Sequence, residues 1–154
     1  MARILSDEEF AQVVRLAPLI SLDIIIRDPQ QKVLVALRNN EPAKGVYFVP
    51  GGCVRKDETI ENAFARILEN ETGCSAAFNN AQFLGVFQHI YSTNRFGLGG
   101  YGTHYVVLAY EVRLDHHPTI VLDEQHSVHR WVNEAELKAD PHVHENTKAY
   151  FCRT

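Results

Sequence analysis

Residues 51–73 read GGCVRKDETIENAFARILENETG. The later part of this stretch has a helical pattern. Ile60, Ala63, Phe64, Ile67 and Leu68 recur at i, i+3, i+4, i+7 and i+8, which gathers them on one face. The predicted helix covers residues 57–72, with Asp57 or Thr59 as its cap and Gly73 placed to end it. Residues advance by ~100° each on a helix, so Glu71 falls near the middle of the apolar stripe. It also lies in the last turn, where the helix dipole disfavours an anion. A carboxylate placed there needs compensation. An ion pair to Arg66 or elsewhere, or a frayed and solvated end, would provide it. The Gly51-Gly52 pair could be no more than a tight turn, but beside Glu71 it favours a metal ion. Oxygen ligands favour a hard cation, magnesium or manganese.

The rest of the chain supplies a sheet for this motif. Residues 22–26 and 32–38 are β-rich runs flanking Asp28-Pro29-Gln30-Gln31, and are predicted to form a hairpin. Residues 39–45 form a loop, and 46–49 a short strand that ends at Pro50-Gly51-Gly52. Upstream, Ser6-Asp7-Glu8-Glu9 is a capping box for a helix bearing Phe10, Val13, Val14 and Leu16, stopped by Pro18. Downstream, 82–89, 104–112 and 127–132 are predicted strands, with a four-glycine loop over 94–102. Residues 133–138 and 145–151 are predicted short helices. This order predicts one α/β domain over residues 1–154, an α/β/α sandwich with a mixed sheet and a strand-loop-helix motif.

Composition narrows the functional classes. The chain has 154 residues, 45% hydrophobic and 22% charged, which excludes a disordered tract, a collagen-like fibre and a disulfide scaffold. No apolar run approaches the ~18–20 residues of a membrane span. MARILSDEEF has neither the apolar core nor the cleavage site of a secretory signal. The net charge of −4, with no Lys/Arg-rich stripe, argues against nucleic acid as a partner. Cys53, Cys74 and Cys152 are odd in number and form no CxxC, so a reducing cytoplasm is expected.

The spacing of the opening stretch resembles the Nudix box, G-x5-E-x7-R-E-U-x-E-E-x-G-U with U apolar. Gly52, Glu58, Arg66, Leu68, Glu71 and Gly73 match in register, and Cys74 takes the last apolar place. Ile67 and Asn70 replace two of the acidic positions, leaving Glu71 alone. Outside the box, PLISLD (18–23), FVPGG (48–52), GVFQHIY (85–91), THYVVL (103–108), DEQH (123–126) and the 143–151 tail are similar to the GDP-mannose mannosyl hydrolases. This similarity runs over residues 2–152, and the missing glutamates are characteristic of that subfamily.

The resemblance implies a glycosidase that releases GDP and free sugar from GDP-mannose, and GDP-glucose as a further substrate. Water attacks the anomeric carbon with inversion. It implies His126 as general base, a role that suits an imidazole at neutral pH. Gly51, Glu71 and Gln125 are the implied metal ligands, for magnesium or manganese. Arg38 neutralises the leaving diphosphate, and Tyr105 donates to it. Asp23, His89 and Tyr91 line the sugar or phosphate pocket, while Ile4, Leu5 and Phe10 meet the guanine. Arg66 and Glu58 buttress the loop. A homodimer is implied as well. Cys53 stands where the subfamily carries an arginine for the diphosphate, and Arg55 is the nearby replacement. Two other readings remain at this stage: a conventional pyrophosphohydrolase cutting P–O, and a weakly active nucleotide-sugar binder.

Overall fold

The computed structural model describes residues 2–152. Its first helix, α1 (Asp7–Leu16), begins at the expected capping box: Ser6 Oγ accepts from the Glu9 amide while the Glu9 carboxylate accepts from the Ser6 amide. Strands β1 (Leu19–Arg27) and β2 (Val33–Arg38) follow, then β3 (Tyr47–Phe48), β4 (Gly51–Cys53) and helix α2 (Ile60–Thr72). The long strands β5 (Gln82–Tyr91) and β6 (Thr103–Arg113), then β7 (His126–Val132), complete the sheet. Helices α3 (Glu134–Ala139) and α4 (Glu145–Lys148) close the described chain, with a 3₁₀ turn at Ala149–Phe151.

The seven strands run in the order β3-β2-β1-β6-β5, with β4 also paired to β1 and β7 to β2. Strands β1 and β6 are parallel and the other pairs antiparallel, so the sheet is mixed, as expected. Period-two alternation in β1 feeds two cores. Leu22, Ile24 and Ile26 pack with Ala63, Phe64, Ile67 and Leu68 of α2 on one face. Ile25 points to the other face, with Val33, Val35, Val132, Leu137, Tyr150 and Phe151. Helices therefore cover both faces of the sheet. Buried Arg27 of β1 ties the neighbouring strand β6 and helix α3 to the sheet through Glu111 at 3.0 Å and Glu134 at 3.1 Å.

Several boundaries differ from the sequence reading, each for a local reason. Helix α2 starts at Ile60 because Asp57 holds φ at 67°, outside any helix, and Thr59 is the cap. Gly73 ends it in the left-handed conformation at φ 72°, as expected. The expected hairpin is a fork. Strands β1 and β2 meet at Arg27 and Val33, next to a turn in which Asp28 Oδ1 accepts from the Gln30 and Lys32 amides, each at 2.9 Å. Further along, β1 pairs with β4, and β2 with β3 and β7. Residues 51–53 are thus a strand, Ser21 to Asp23 facing Cys53 to Gly51, where a turn was the plainer expectation. Strand β3 is shorter than the predicted 46–49, while β5 and β6 outrun 82–89 and 104–112. The predicted 145–151 helix tightens into 3₁₀ geometry after Lys148.

Candidate active site

The fork between β1 and β2 opens one large cleft of about 1390 Å³. Ile4, Leu5, Phe10, Asp23, Arg38, Gly51, Glu71, His89, Tyr91, Tyr105, Gln125 and His126 all line it, so the residues given catalytic, substrate or metal roles reach one cavity, while Glu58 stays behind the loop it was expected to buttress.

The backbone places the glycine pair tightly. A Cβ on Gly51 would overlap the Asp23 carboxylate and the Leu22 carbonyl, and one on Gly52 would lie 3.1 Å from Ile67 Cγ1. Ile67 is buried, so the apolar residue at a formerly acidic position is a wall of the core under β4. Arg66 braces the loop: Nε donates to Glu58 Oε1 at 2.7 Å, and one terminal nitrogen donates to Glu58 Oε2 at 2.9 Å and the Cys53 carbonyl at 2.8 Å. Its hydrogen bonds hold the Glu58 carboxyl below the usual carboxylate range. Arg66 is therefore committed to Glu58, which excludes it as the counter-ion of Glu71.

Glu71 meets another acid instead. Its side chain is 11% exposed and faces Asp123 and His126, and the three ligand-type atoms lie within 4.8 Å of one another. His126 Nδ1 lies 2.7 Å from Asp123 Oδ1 and 3.2 Å from Glu71 Oε2. One ring nitrogen has one proton to give, and the shorter contact takes it. Glu71 Oε2 is left buried with no hydrogen bond. Burial, then the hydrogen bond and charge of Asp123, push the Glu71 pKa up to about 9. Burial acts against ionisation of Asp123 too, but hydrogen bonds from Glu71 and His126 and the His126 charge outweigh it and hold its pKa below the usual range. An orphaned buried oxygen beside a second carboxylate is an arrangement that a divalent cation fits. Asp123 was not assigned a role from sequence. Its signal was the spacing of DEQH, an acid three residues before the histidine.

Gln125 stands at the exposed rim, where its amide N–H donates to Asp123 Oδ1 at 3.1 Å and its carbonyl accepts from Asn39 at 2.8 Å. Arg38 is the cross-strand partner of His126, beyond a bulge in β7. Its Nε is buried without a hydrogen-bond partner, and its guanidinium carbon lies 5.7 Å from the Phe48 ring.

The opposite wall is a hydroxyl and imidazole network. Tyr150 donates to Asp23 and lies 3.3 Å from His89 Nε2, and Asn146 donates to the Tyr91 hydroxyl at 3.0 Å. Burial raises the Asp23 pKa to about 6, against the Tyr150 hydrogen bond and the Arg38 charge. Burial, then the His144 charge, lowers that of His89 to about 4. Tyr105, opposite His89 across β5 and β6, is pushed well above the usual phenol range by burial and stays a donor. His144 stacks on Phe48 at 4.7 Å and caps α4. Ile4 and Phe10 sit at the outer end of the cleft, Ile4 exposed and Phe10 half-buried.

Among known proteins, the chain is 40% identical over 121 residues to the low-salt glycan biosynthesis protein Agl8 of Haloferax volcanii, covering 79% of this chain and 74% of that one. A shorter stretch of 58 residues, 38% of this chain and 34% of the other, is 41% identical to the ADP-ribose pyrophosphatase of Methanocaldococcus jannaschii. The MutT protein structure from Methanosarcina mazei Go1 superposes with a TM-score of 0.73 at 19% identity, over 87% of this chain and 91% of that one. No helix among the described residues is long and apolar enough to cross a membrane. The family model for the NUDIX domain matches residues 18–151, which takes in the sheet, the glycine strand and the helix bearing Glu71, and so the chain belongs to the NUDIX family of hydrolases.

Proposed function

We propose that this protein hydrolyses GDP-mannose, with GDP-glucose as a further substrate, to GDP and free sugar. The observation that carries the reading is the His126–Asp123 pair beside a single box carboxylate. With Asp123 ionised, the proton of His126 resides on Nδ1, and Nε2 offers its lone pair to a water molecule. As the water oxygen bonds to the anomeric carbon, its proton passes to Nε2. The anomeric C–O bond breaks on the opposite face of the sugar, and its electron pair leaves on the β-phosphate oxygen of GDP.

The chain's other residues bind and orient. Arg38, whose Nε is free of protein partners, donates to the departing diphosphate, and the Tyr105 hydroxyl donates beside it. Asp23, His89 and Tyr91 take the sugar hydroxyls. Ile4, Leu5 and Phe10 face the guanine. Glu71, the Gly51 carbonyl and the Gln125 amide oxygen would hold magnesium or manganese, with Asp123 in reach. Bound there, the metal supplies positive charge for the leaving group. The 40% identity to a glycan biosynthesis protein supports a nucleotide-sugar substrate. The reading also carries a cytoplasmic location and a homodimer. Phe83, Val86 and Ile90 lie exposed on edge strand β5, aligned by a bulge at Gly85, and form an apolar edge for a second copy.

Hydrolysis in oxygen-18 water tests the reaction. Label in the sugar supports attack at carbon, and label in phosphate rejects it. One observation favours the rival P–O cleavage: Asp123 brings a second carboxylate to Glu71. If wild type and His126→Gln are equally slow, the catalytic role given to His126 is wrong and the reading as a nucleotide-sugar binder gains.

A further inference from the structure

Arg95 has no part in the roles above. It sits in the loop between β5 and β6 and lines the cleft. The loop is built around Asn94, whose residue is 1% exposed. Asn94 Nδ2 donates to the Leu98 carbonyl at 2.7 Å and the Tyr101 carbonyl at 3.1 Å. Its Oδ1 accepts from the Phe96 and Leu98 amides at 3.1 and 3.3 Å. At the loop's base Thr103 Oγ1 donates to the Thr93 carbonyl at 2.7 Å, and the Tyr91 carbonyl fills the place of any Cβ at Gly102. A loop pinned in this way holds Arg95 at a defined position.

There the guanidinium carbon lies 5.6 Å from the Phe10 ring and 5.4 Å from the Phe96 ring, which meet each other edge to face. Stacking leaves the N–H groups of the guanidinium free. Among the described residues Arg95 has no carboxylate partner and no side-chain hydrogen bond. Of the other cations lining the cleft, Arg66 is held by Glu58, Lys56 by Asp57 and Arg3 by Glu9, while Arg55, two residues after Cys53, has no ion pair among the described residues but is not stacked on a ring as Arg95 is. The charges of Arg66, Arg95 and Arg38 all reach the Cys53 thiol, yet burial pushes its pKa up to about 11 and keeps it neutral. An exposed arginine fixed by aromatic rings, with no acid of its own, in a cleft where the buried Arg38 Nε also lacks a partner, is suited to a doubly charged anion.

We propose that Arg95 is a substrate-binding residue that grips the diphosphate of the ligand together with Arg38. The proposal rests on the nucleotide-sugar reading but requires only the diphosphate of that ligand. Titration calorimetry with magnesium and inorganic pyrophosphate, GDP or guanosine tests it on wild type, Arg95→Gln and Arg95→Lys. Arg95→Gln should weaken pyrophosphate and GDP by about 10–100-fold and leave guanosine unchanged, with Arg95→Lys recovering part of the loss. Equal affinities for GDP in wild type and Arg95→Gln, or an equal loss for guanosine, overturn the proposal. Arg95-dependent pyrophosphate binding in a protein that releases no GDP from GDP-mannose supports it while rejecting the hydrolase reading. Unchanged melting temperatures of the variants exclude misfolding as the cause of any loss.

Discussion

Neutralising Glu71 should stabilise the metal-free protein at alkaline pH and abolish its response to magnesium. The Glu71 pKa stands at about 9 in the fold against an ordinary 4.5. An acid with a raised folded-state pKa favours folding while it keeps its proton. That contribution is complete below about pH 4 and is lost as pH rises toward 9, because the unfolded chain releases the proton first. Each pH unit inside the window corresponds to about 1.4 kcal/mol, or about 4 kcal/mol from pH 5 to 8. The depressed pKa of Asp123 acts below about pH 4, outside this window. Glu71 and Asp123 titrate as a coupled pair and share the raised proton affinity, so roughly half, about 2 kcal/mol, is the expected net loss. Glu71→Gln keeps the side-chain shape, replaces the carboxyl proton with an amide donor and removes the titration. In thermal unfolding with EDTA, wild type should match the variant at pH 5 and fall about 4–8 °C below it at pH 8. Added magnesium should restore wild type at pH 8 and leave the variant unmoved, since a metal replaces the proton that Glu71 otherwise holds. Parallel pH profiles of the two proteins in EDTA, or equal stabilisation of both by magnesium, would refute the reasoning.

Three further outcomes follow from the same geometry. His126→Gln should lower kcat for GDP-mannose by about 10²–10⁴-fold with little change in GDP affinity, measured by steady-state kinetics beside titration calorimetry. Gly51→Ala should destabilise by about 2–4 kcal/mol in chemical denaturation, because its methyl group meets the Leu22 carbonyl, fixed by the β1–β4 pairing, and the Asp23 carboxylate, held by the Tyr150 hydroxyl. Val86→Glu on edge strand β5 should leave a monomer in sedimentation velocity while wild type sediments as a dimer.

The readable parts of the sequence are those where one residue type has one local use. The capping box at Ser6, the α2 stripe and the left-handed Gly73 are local facts of the chain, and the structure keeps all three. The α2 boundary was less legible, because Asp57 adopts a positive φ that its side chain does not announce. The fork of β1 and β2 is a tertiary event. Which strand continues beside β1 depends on β4, a three-residue strand with two glycines that has no strand signature of its own. The position of Glu71 on the apolar stripe did announce an unusual carboxylate. Its neighbour did not, since Asp123 lies 52 positions away in a loop and becomes relevant only once β7 has paired with β2 and carried His126 to Arg38.

Charge is where composition and structure meet. A chain of net charge −4 offers an anionic ligand no general attraction. Much of its basic charge is also spent internally: Arg27 on Glu111 and Glu134, Arg66 on Glu58, Arg130 on Asp140. The cleft therefore has to concentrate positive potential from a few sources. Arg38 keeps a buried Nε without a partner, and Arg95 is fixed by Phe10 and Phe96 with no acid to satisfy it. The acid pair of Glu71 and Asp123 looks opposed to this end, yet it is what makes a divalent cation favourable at that point. A protein built this way should bind its ligand steeply as a function of magnesium and only weakly as a function of monovalent salt, because the charges that matter lie inside the cleft rather than over the surface.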